Sequence, residues 1–512
     1  MNAELDPKIH ARRWMIMLVL CISLFMVVVD NLIINVALPT LSRELGASTS
    51  GLQWIVDSYA LVFACLLLAF GGLGDRFGRK GAIQVGMIAF VGCSIWASFA
   101  TSTSSLIIAR GAMGIGAAAI FPATLAIIID VFRDPIERAK AIGIWSAVSG
   151  MAVAFGPITG GFLLEHFYWG SVFLVNVPVG VIAFILGAIF IPTSKDPNPH
   201  RIDFPGFALS IAMVGLLVYT VIEGPHRGWT SGATFASFAG TVILFAAFVK
   251  RELSTNEPLL DVRVFRNARL SAATGSIGIA FFVLFGFTFL VTQYFQFVRG
   301  YSTLSAGVHT LPFAIGAGVT APIAARLALK FGTKRIVAIG LTNMCIGLVI
   351  IGFCGAETAY WGPVIVSMVF LANGLALVTS PSTDAIMGEL PREKAGVGSA
   401  VNDVSREVGG TLGVAISGSV FASLYGPKVG ELLANFKLPA EAVALAKESA
   451  GAGFAVAELT PTPEAAEAVR QAVSDAFMHG FHTACFTGAG VALVGALFAL
   501  KFLPARRAVI SS

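Results

Sequence analysis

An all-α membrane protein of fourteen transmembrane helices is the fold class this sequence predicts, and three observations predict it. Only 12% of the 512 residues are Asp, Glu, Lys or Arg, while 56% are hydrophobic. A soluble domain carries about 25% charge, so a water-facing globular surface is excluded. The apolar residues fall in blocks of roughly 20, the length that crosses a ~30 Å hydrocarbon core as a helix. Lys and Arg gather in alternate breaks between those blocks, as in a chain woven through a bilayer.

Taken in order between charged or turn-rich breaks, the first eight spans run 14–37, 52–73, 81–100, 105–128, 141–163, 171–191, 205–223 and 233–249. The remaining six run 270–294, 305–325, 335–354, 361–381, 398–424 and 480–502. The first block follows Arg12 and Arg13 and continues without a small-residue cleavage site, so it reads as a span and not a signal peptide. With both termini cytoplasmic, 25 of the 34 Lys and Arg fall on inside segments. Seven fall outside (Arg43, Arg227, Arg299, Lys428, Lys437, Lys447 and Arg470), and Arg110 and Arg406 lie within spans. That imbalance orients the chain with both ends inside, and the net charge of +5 reflects orientation, with no nucleic-acid partner implied. The six Cys lie in or beside apolar blocks without ligand spacing, so they read as packing residues. Segment 425–479 is an Ala/Glu-rich outer loop whose apolar spacing predicts one or two short amphipathic helices.

Two loops repeat. Asp75-Arg-Phe-Gly-Arg-Lys80 follows the second span and Lys330-Phe-Gly-Thr-Lys-Arg335 follows the tenth, with Gly78 and Gly332 in matching places. The match divides the chain into an N-terminal six-helix half (1–191), inserted helices 7 and 8 with linkers (192–269), and a C-terminal six-helix half (270–512) that includes 425–479. Secondary transporters are built from such repeats, with the substrate site between them near mid-membrane.

A charge at a helix centre costs about 2.5–3.5 kcal/mol on insertion scales, so the few buried ones mark function. Asp30 lies roughly 24 Å into the first span, and Asp57 about 7 Å from the outer end of the second, at 1.5 Å per residue. Arg110 enters the fourth span at a similar depth. The thirteenth span carries Asp403, Arg406 and Glu407. Asp403 and Glu407 are four apart and share a face; both cannot ionise cheaply in low dielectric, so one of them is expected to hold a proton. Arg406 projects about 100° away from Glu407 and reads equally well as an internal counter-ion. A purely structural cluster is the alternative for Asp30, Asp57 and Arg110, and simple solvation for Asp403. Gly156, Pro157, Gly160 and Gly161 suit a helix that bends and packs closely, because Pro removes a helix bond and small residues admit a neighbour. Trp54, Tyr59, Trp145, Tyr294 and Phe295 offer faces for a lipophilic cation, or simply packing.

Several stretches then resemble one family. Gly71-Gly-Leu-Gly-Asp75-Arg-Phe-Gly-Arg-Lys80 is similar to the major facilitator superfamily signature, and Gly156-Pro-Ile-Thr-Gly-Gly161 to the signature of its antiporter branch. Asp30–Pro39, Gln53–Tyr59, Leu164–Phe173 and Ala395–Asp403 resemble the fourteen-helix drug:proton antiporters, above all the quaternary-ammonium and methyl-viologen pumps. The resemblance implies the major facilitator fold and a proton-coupled multidrug efflux antiporter exporting lipophilic, mainly cationic compounds. It pairs Arg110 with Asp30 as a coupling element and leaves Asp57 as a spare anion for a drug or a proton. It makes Gly71, Asp75, Arg76, Gly78 and Arg79 a latch between the halves in the outward-open state. Asn31 and Met113 depart from the residues common in related pumps. The implied partners are small-molecule drugs, protons and the lipid bilayer, in a bacterial cytoplasmic membrane. No cofactor, metal or enzymatic activity is implied, and both a monomer and a pump with a periplasmic adaptor stay open. A dedicated exporter of one metabolite or antibiotic, or a transport-dead sensor, are the alternative functions.

Overall fold

The structure is a computed structural model that describes residues 7–194, 203–255, 258, 262–389, 395–436 and 438–503, helical nearly throughout and without a strand among them. The first seven helices are α1 (Pro7–Glu44), α2 (Thr49–Phe77), α3 (Arg79–Ser98), α4 (Thr103–Val131), α5 (Pro135–His166), and the short α6 (Ser171–Leu174) followed by α7 (Asn176–Phe190). A hairpin of α8 (Phe204–Arg227) and α9 (Gly232–Ser254) comes next. The rest are α10 (Ala268–Gln293), α11 (Thr303–His309), α12 (Leu311–Phe331), α13 (Thr333–Gly352), α14 (Ile365–Glu389), α15 (Ala395–Leu433), α16 (Ala440–Glu448), α17 (Ala450–Glu458) and α18 (Pro463–Phe502).

Thirteen helical stretches among the described residues are long and apolar enough to cross a membrane. The fifth expected span, which is not one of them, corresponds to the 32-residue α5, several of whose side chains lie outside the described residues. Most helices run past the apolar blocks, because charged ends continue a helix until a breaker intervenes. Gly78 and Gly332 are such breakers: both hold positive φ (+119° and +88°) and close the turns after α2 and α12, a conformation that favours glycine. Ser48, Ser102, Ser231 and Thr462 cap the starts of α2, α4, α9 and α18 by accepting backbone N–H groups. The sixth and tenth spans are each broken near one end, into α6 and α7 and into α11 and α12.

The expected outer loop is more ordered than its composition suggested. α15 and α18 have 39 and 40 residues, close to 60 Å each at 1.5 Å per residue. Both therefore project beyond a ~30 Å core, with α16 and α17 between them. The face that carries this projection is called distal here, and the opposite face, with the ends of α1 and α18, terminal.

Helices α1–α7 pack on one another, led by α2 and α3 against α4 and by α1 against α5. Helices α10–α15 and α18 form a second group, led by α10 against α15 and α13 against α14. α8 lies on the seam, touching α9, α2 and α15, where Val218, Ile222, Cys65 and Ala415 make a small apolar cluster of their own. α9 packs mainly on α8 and leaves most of its apolar surface uncovered.

At the distal face the two groups are joined tightly. Gln53 donates to the Ala415 carbonyl at 2.9 Å, Gln296 to the Val36 carbonyl at 2.9 Å, and the Thr303 hydroxyl to the Gly161 carbonyl at 3.1 Å. α17 is tied to α1 and α2 through Ser42–Ser449 (3.1 Å) and Thr49 to the Glu448 carbonyl (3.1 Å), while Phe297 stacks on Phe454. Tyr425 of α15 holds the same cap by donating to Ala446 and Ser449.

The Gly156–Gly161 run packs α5 on α1 within the first group and, at Gly161, on α11 across this seam. A Cβ on Gly156 would stand 2.9 Å from the Leu32 Cβ, and one on Gly160 2.6 Å from Ile33. A Cβ on Gly161 would stand 2.5 Å from the Leu304 Cα, and Gly307 of α11 faces the Pro157 carbonyl in return. Gly161→Val is therefore expected to hold the distal side apart. With the native Cys removed, disulfide formation between Ser42→Cys and Ser449→Cys, whose hydroxyl oxygens are 3.1 Å apart, should fall severalfold; an unchanged yield would refute this role for the contact.

Candidate functional site

The mid-span charges of the first group assemble on α1, α2, α4 and α7. Arg110 (α4) donates to Asp30 (α1) at 2.6 Å, and both side chains are fully buried. Asn176 (α7) donates to the second Asp30 oxygen at 2.7 Å and to Ser94 at 3.3 Å. The Arg110 guanidinium also donates to the Ile55 carbonyl and lies 4.3 Å over the Tyr59 ring. This pair is neutral overall and both Asp30 oxygens are bonded, while Arg110 Nη2 is buried without a hydrogen-bond partner among the described residues; a buried ion pair needs such added hydrogen bonds if the interaction is to offset desolvation. The expected Asp30–Arg110 partnership is thus present as geometry. Asn176 was not singled out from the sequence, though an Asn inside an apolar run was the available signal.

Asp57 is different. It is fully buried on α2, two residues from Tyr59, and neither carboxylate oxygen has a hydrogen-bond partner among the described residues. A lone buried carboxylate is stable only with a proton on it or a cation against it.

Across the seam, α15 brings Asp403, Arg406 and Glu407, all half-buried. Asn402 donates to Asp403 at 3.1 Å and accepts from Thr383. Glu407 lies within electrostatic range of both Asp403 and Arg406. The Tyr59 hydroxyl donates to the Val27 carbonyl at 3.5 Å and lies within electrostatic range of Asp30, Arg110 and Glu407. Next to it runs an aromatic ladder, Tyr59–Phe63–Phe121–Trp145, with successive centroids 6.0, 5.6 and 5.5 Å apart. Of the five aromatics singled out from sequence, only Tyr59 and Trp145 share that ladder. Trp54 pairs with Tyr219 and Glu223 of α8, and Tyr294 and Phe295 sit in a separate cluster with Phe481 and Tyr301.

At the terminal face, Arg79 bonds to Asp130 at the end of α4 and to Ser194, which also bonds to Asp130. The Arg79 backbone N–H is fixed by the Ser194 carbonyl at 2.9 Å. Arg76 is exposed and lies over Phe77, and Gly71 faces Pro122. The Asp75 side chain lies outside the described residues. These partners of Arg79 all belong to the first group. Asp130 was missed in the sequence because its position at a helix end makes it look solvated.

A family model described as the Major Facilitator Superfamily matches residues 20–414. The methyl viologen resistance protein SmvA of Salmonella typhimurium is 34% identical over 494 residues, 94% of this chain and 96% of that one. The multidrug efflux pump LfrA of Mycolicibacterium smegmatis is 34% identical over 461 residues, 89% and 90% of the two chains. The tetracenomycin C resistance and export protein of Streptomyces glaucescens is 32% identical over 508 residues, 98% and 94%. Among solved structures, an inward-facing bacterial homolog of the human lysosomal transporter Spinster superposes with a TM-score of 0.63 at 18% identity, covering 97% of this chain and 99% of that one.

Proposed function

This chain belongs to the Major Facilitator Superfamily, and from that premise we propose that it is a multidrug efflux transporter that exchanges protons for lipophilic, mainly cationic drugs by alternating access. The observation that carries the reading is Asp57: a buried carboxylate with no hydrogen-bond partner among the described residues is the site where a proton and a cation exclude one another. Such exclusion is what exchange needs, because coupling between two ligands is reciprocal. Glu407, half-buried on the opposite group beside Asp403 and Arg406, is the second acid of this reading. The aromatic ladder gives a drug an apolar wall with negative ring faces. Relatives named for methyl viologen resistance and multidrug efflux support the same substrate class.

In this reading α1–α7 and α10–α18 are the two halves that rock, with α8 and α9 inserted between them. The terminal face is cytoplasmic, as the Lys and Arg imbalance argues, and the membrane is a bacterial cytoplasmic one. The bonded distal seam corresponds to the state that loads drug from inside. Arg79, held by Asp130 and Ser194 in that state, is released to latch the halves in the opposite one.

The test is a reconstituted one. In vesicles that hold a proton gradient, ethidium or a quaternary ammonium compound is expected to release protons, and no release is expected without protein. A second reading, export of one self-made compound, is favoured by the tetracenomycin relative. Silence toward cations together with export of a single neutral metabolite would establish that reading instead.

A further inference from the structure

Gln53 and Asp57 are both fully buried on α2. They are four residues apart, so they share a face, with Gln53 about 6 Å nearer the distal end of the helix. The Gln53 side chain crosses the seam. Its Nε2 donates to the Ala415 carbonyl of α15 at 2.9 Å and to the Ser419 hydroxyl at 3.3 Å. Ser419 in turn donates to the Val221 carbonyl of α8 at 2.6 Å. One amide thus begins a chain of bonds through α2, α15 and the inserted α8.

That amide sits in a socket. A Cβ on Gly418 would stand 2.6 Å from Gln53 Cδ and 2.8 Å from Cγ, so the Gln53 side chain fills the space that a larger residue at 418 would need. The other side of the amide is unmatched: Oε1 is buried with no hydrogen-bond partner among the described residues. An unpaired buried acceptor is costly, and water entering a parted seam would satisfy it. The contact is closed by its N–H groups and loosened by its oxygen, which suits a clasp that opens in every cycle.

We propose that Gln53 is the distal gate of Asp57. Seated against Gly418, it closes the carboxylate from the distal side, and its withdrawal from α15 opens that side to protons. The inference rests on the reading that Asp57 exchanges a proton for a cation. Gln53 acts on access alone, as a positioning residue.

The experiment reads access without transport. In the full-length protein with the native Cys removed, Asp57→Cys is labelled by a membrane-impermeant thiol reagent added outside spheroplasts. Adding Gln53→Ala should raise the labelling rate at 57 by about tenfold, the scale on which losing one or two neutral hydrogen bonds shifts an equilibrium. Gly418→Ala, which removes the socket and leaves Gln53 in the chain, should raise it likewise. Ser42→Cys, at the Ser449 contact of the same seam, reports general parting of the distal side and should gain much less from either change. A rate at 57 that stays fixed in both variants overturns the inference. An equal rise at 42 and 57 does so too, because Gln53 would then be a general brace. If the rate at 57 stays fixed while Asp57→Asn loses coupling, only this inference falls. If Asp57→Asn keeps full gradient-driven export, the exchange reading of Asp57 falls and takes this one with it.

Discussion

Asp57→Asn is expected to uncouple export from the proton gradient, reducing gradient-driven ethidium efflux by on the order of 100-fold, the usual scale for losing a positioned proton-transfer group. Asn is nearly isosteric with a protonated carboxyl but can neither release a proton nor neutralise a cation. Because neither Asp57 oxygen has a hydrogen-bond partner among the described residues, the substitution breaks no hydrogen bond there. Its stability should therefore stay within about 1 kcal/mol of wild type. Thermal unfolding in detergent separates the two effects: a normal midpoint with lost coupling is the expected outcome. Glu407→Gln should give a weaker version, since Glu407 is half-buried and shares its helix with Asp403. Full gradient-driven export by both variants would mean that the exchanging acids are elsewhere.

The second large effect is structural. Arg110→Ala leaves Asp30 buried with Asn176 as its remaining partner, and removes the cation above the Tyr59 ring. Breaking a buried pair by deleting one partner costs about 3–5 kcal/mol, so the variant should unfold well below wild type in a thermal ramp and accumulate poorly in membranes. Combining Arg110→Gln with Asp30→Asn removes both charges, and it should restore most of the stability without restoring transport. A single variant as stable as wild type would show that the pair contributes little to the fold.

How much of this was legible in the sequence differs from element to element. The spans were legible because insertion is local: each segment of roughly 20 apolar residues is decided by its own transfer free energy. The fifth span was legible by that same rule, and α5 occupies it. The broken starts at Thr310 and Val175 were not, since those breaks depend on what packs against them. The buried charges could be found one by one, because a charge is rare and costly in an apolar run. Their partners were not legible from spacing: Arg110 and Asp30, 80 positions apart, were paired only by the family resemblance, and Asn176, 146 positions from Asp30, was not singled out at all.

By itself the sequence determined a helical membrane protein, the apolar blocks that become its spans, the matching turns at Gly78 and Gly332, and the short set of charges within those blocks. Only the tertiary structure decided which charges are matched and which are left alone. It bound Arg110 to Asp30, left Asp57 without a hydrogen-bond partner among the described residues, joined Arg79 to Asp130, and sealed the distal seam through Gln53, Gly161 and α17. The physical reason is range. Partitioning of a segment into lipid depends on the residues of that segment, whereas hydrogen bonds and ion pairs are decided over about 3 Å between helices whose separation in sequence says nothing of their separation in space.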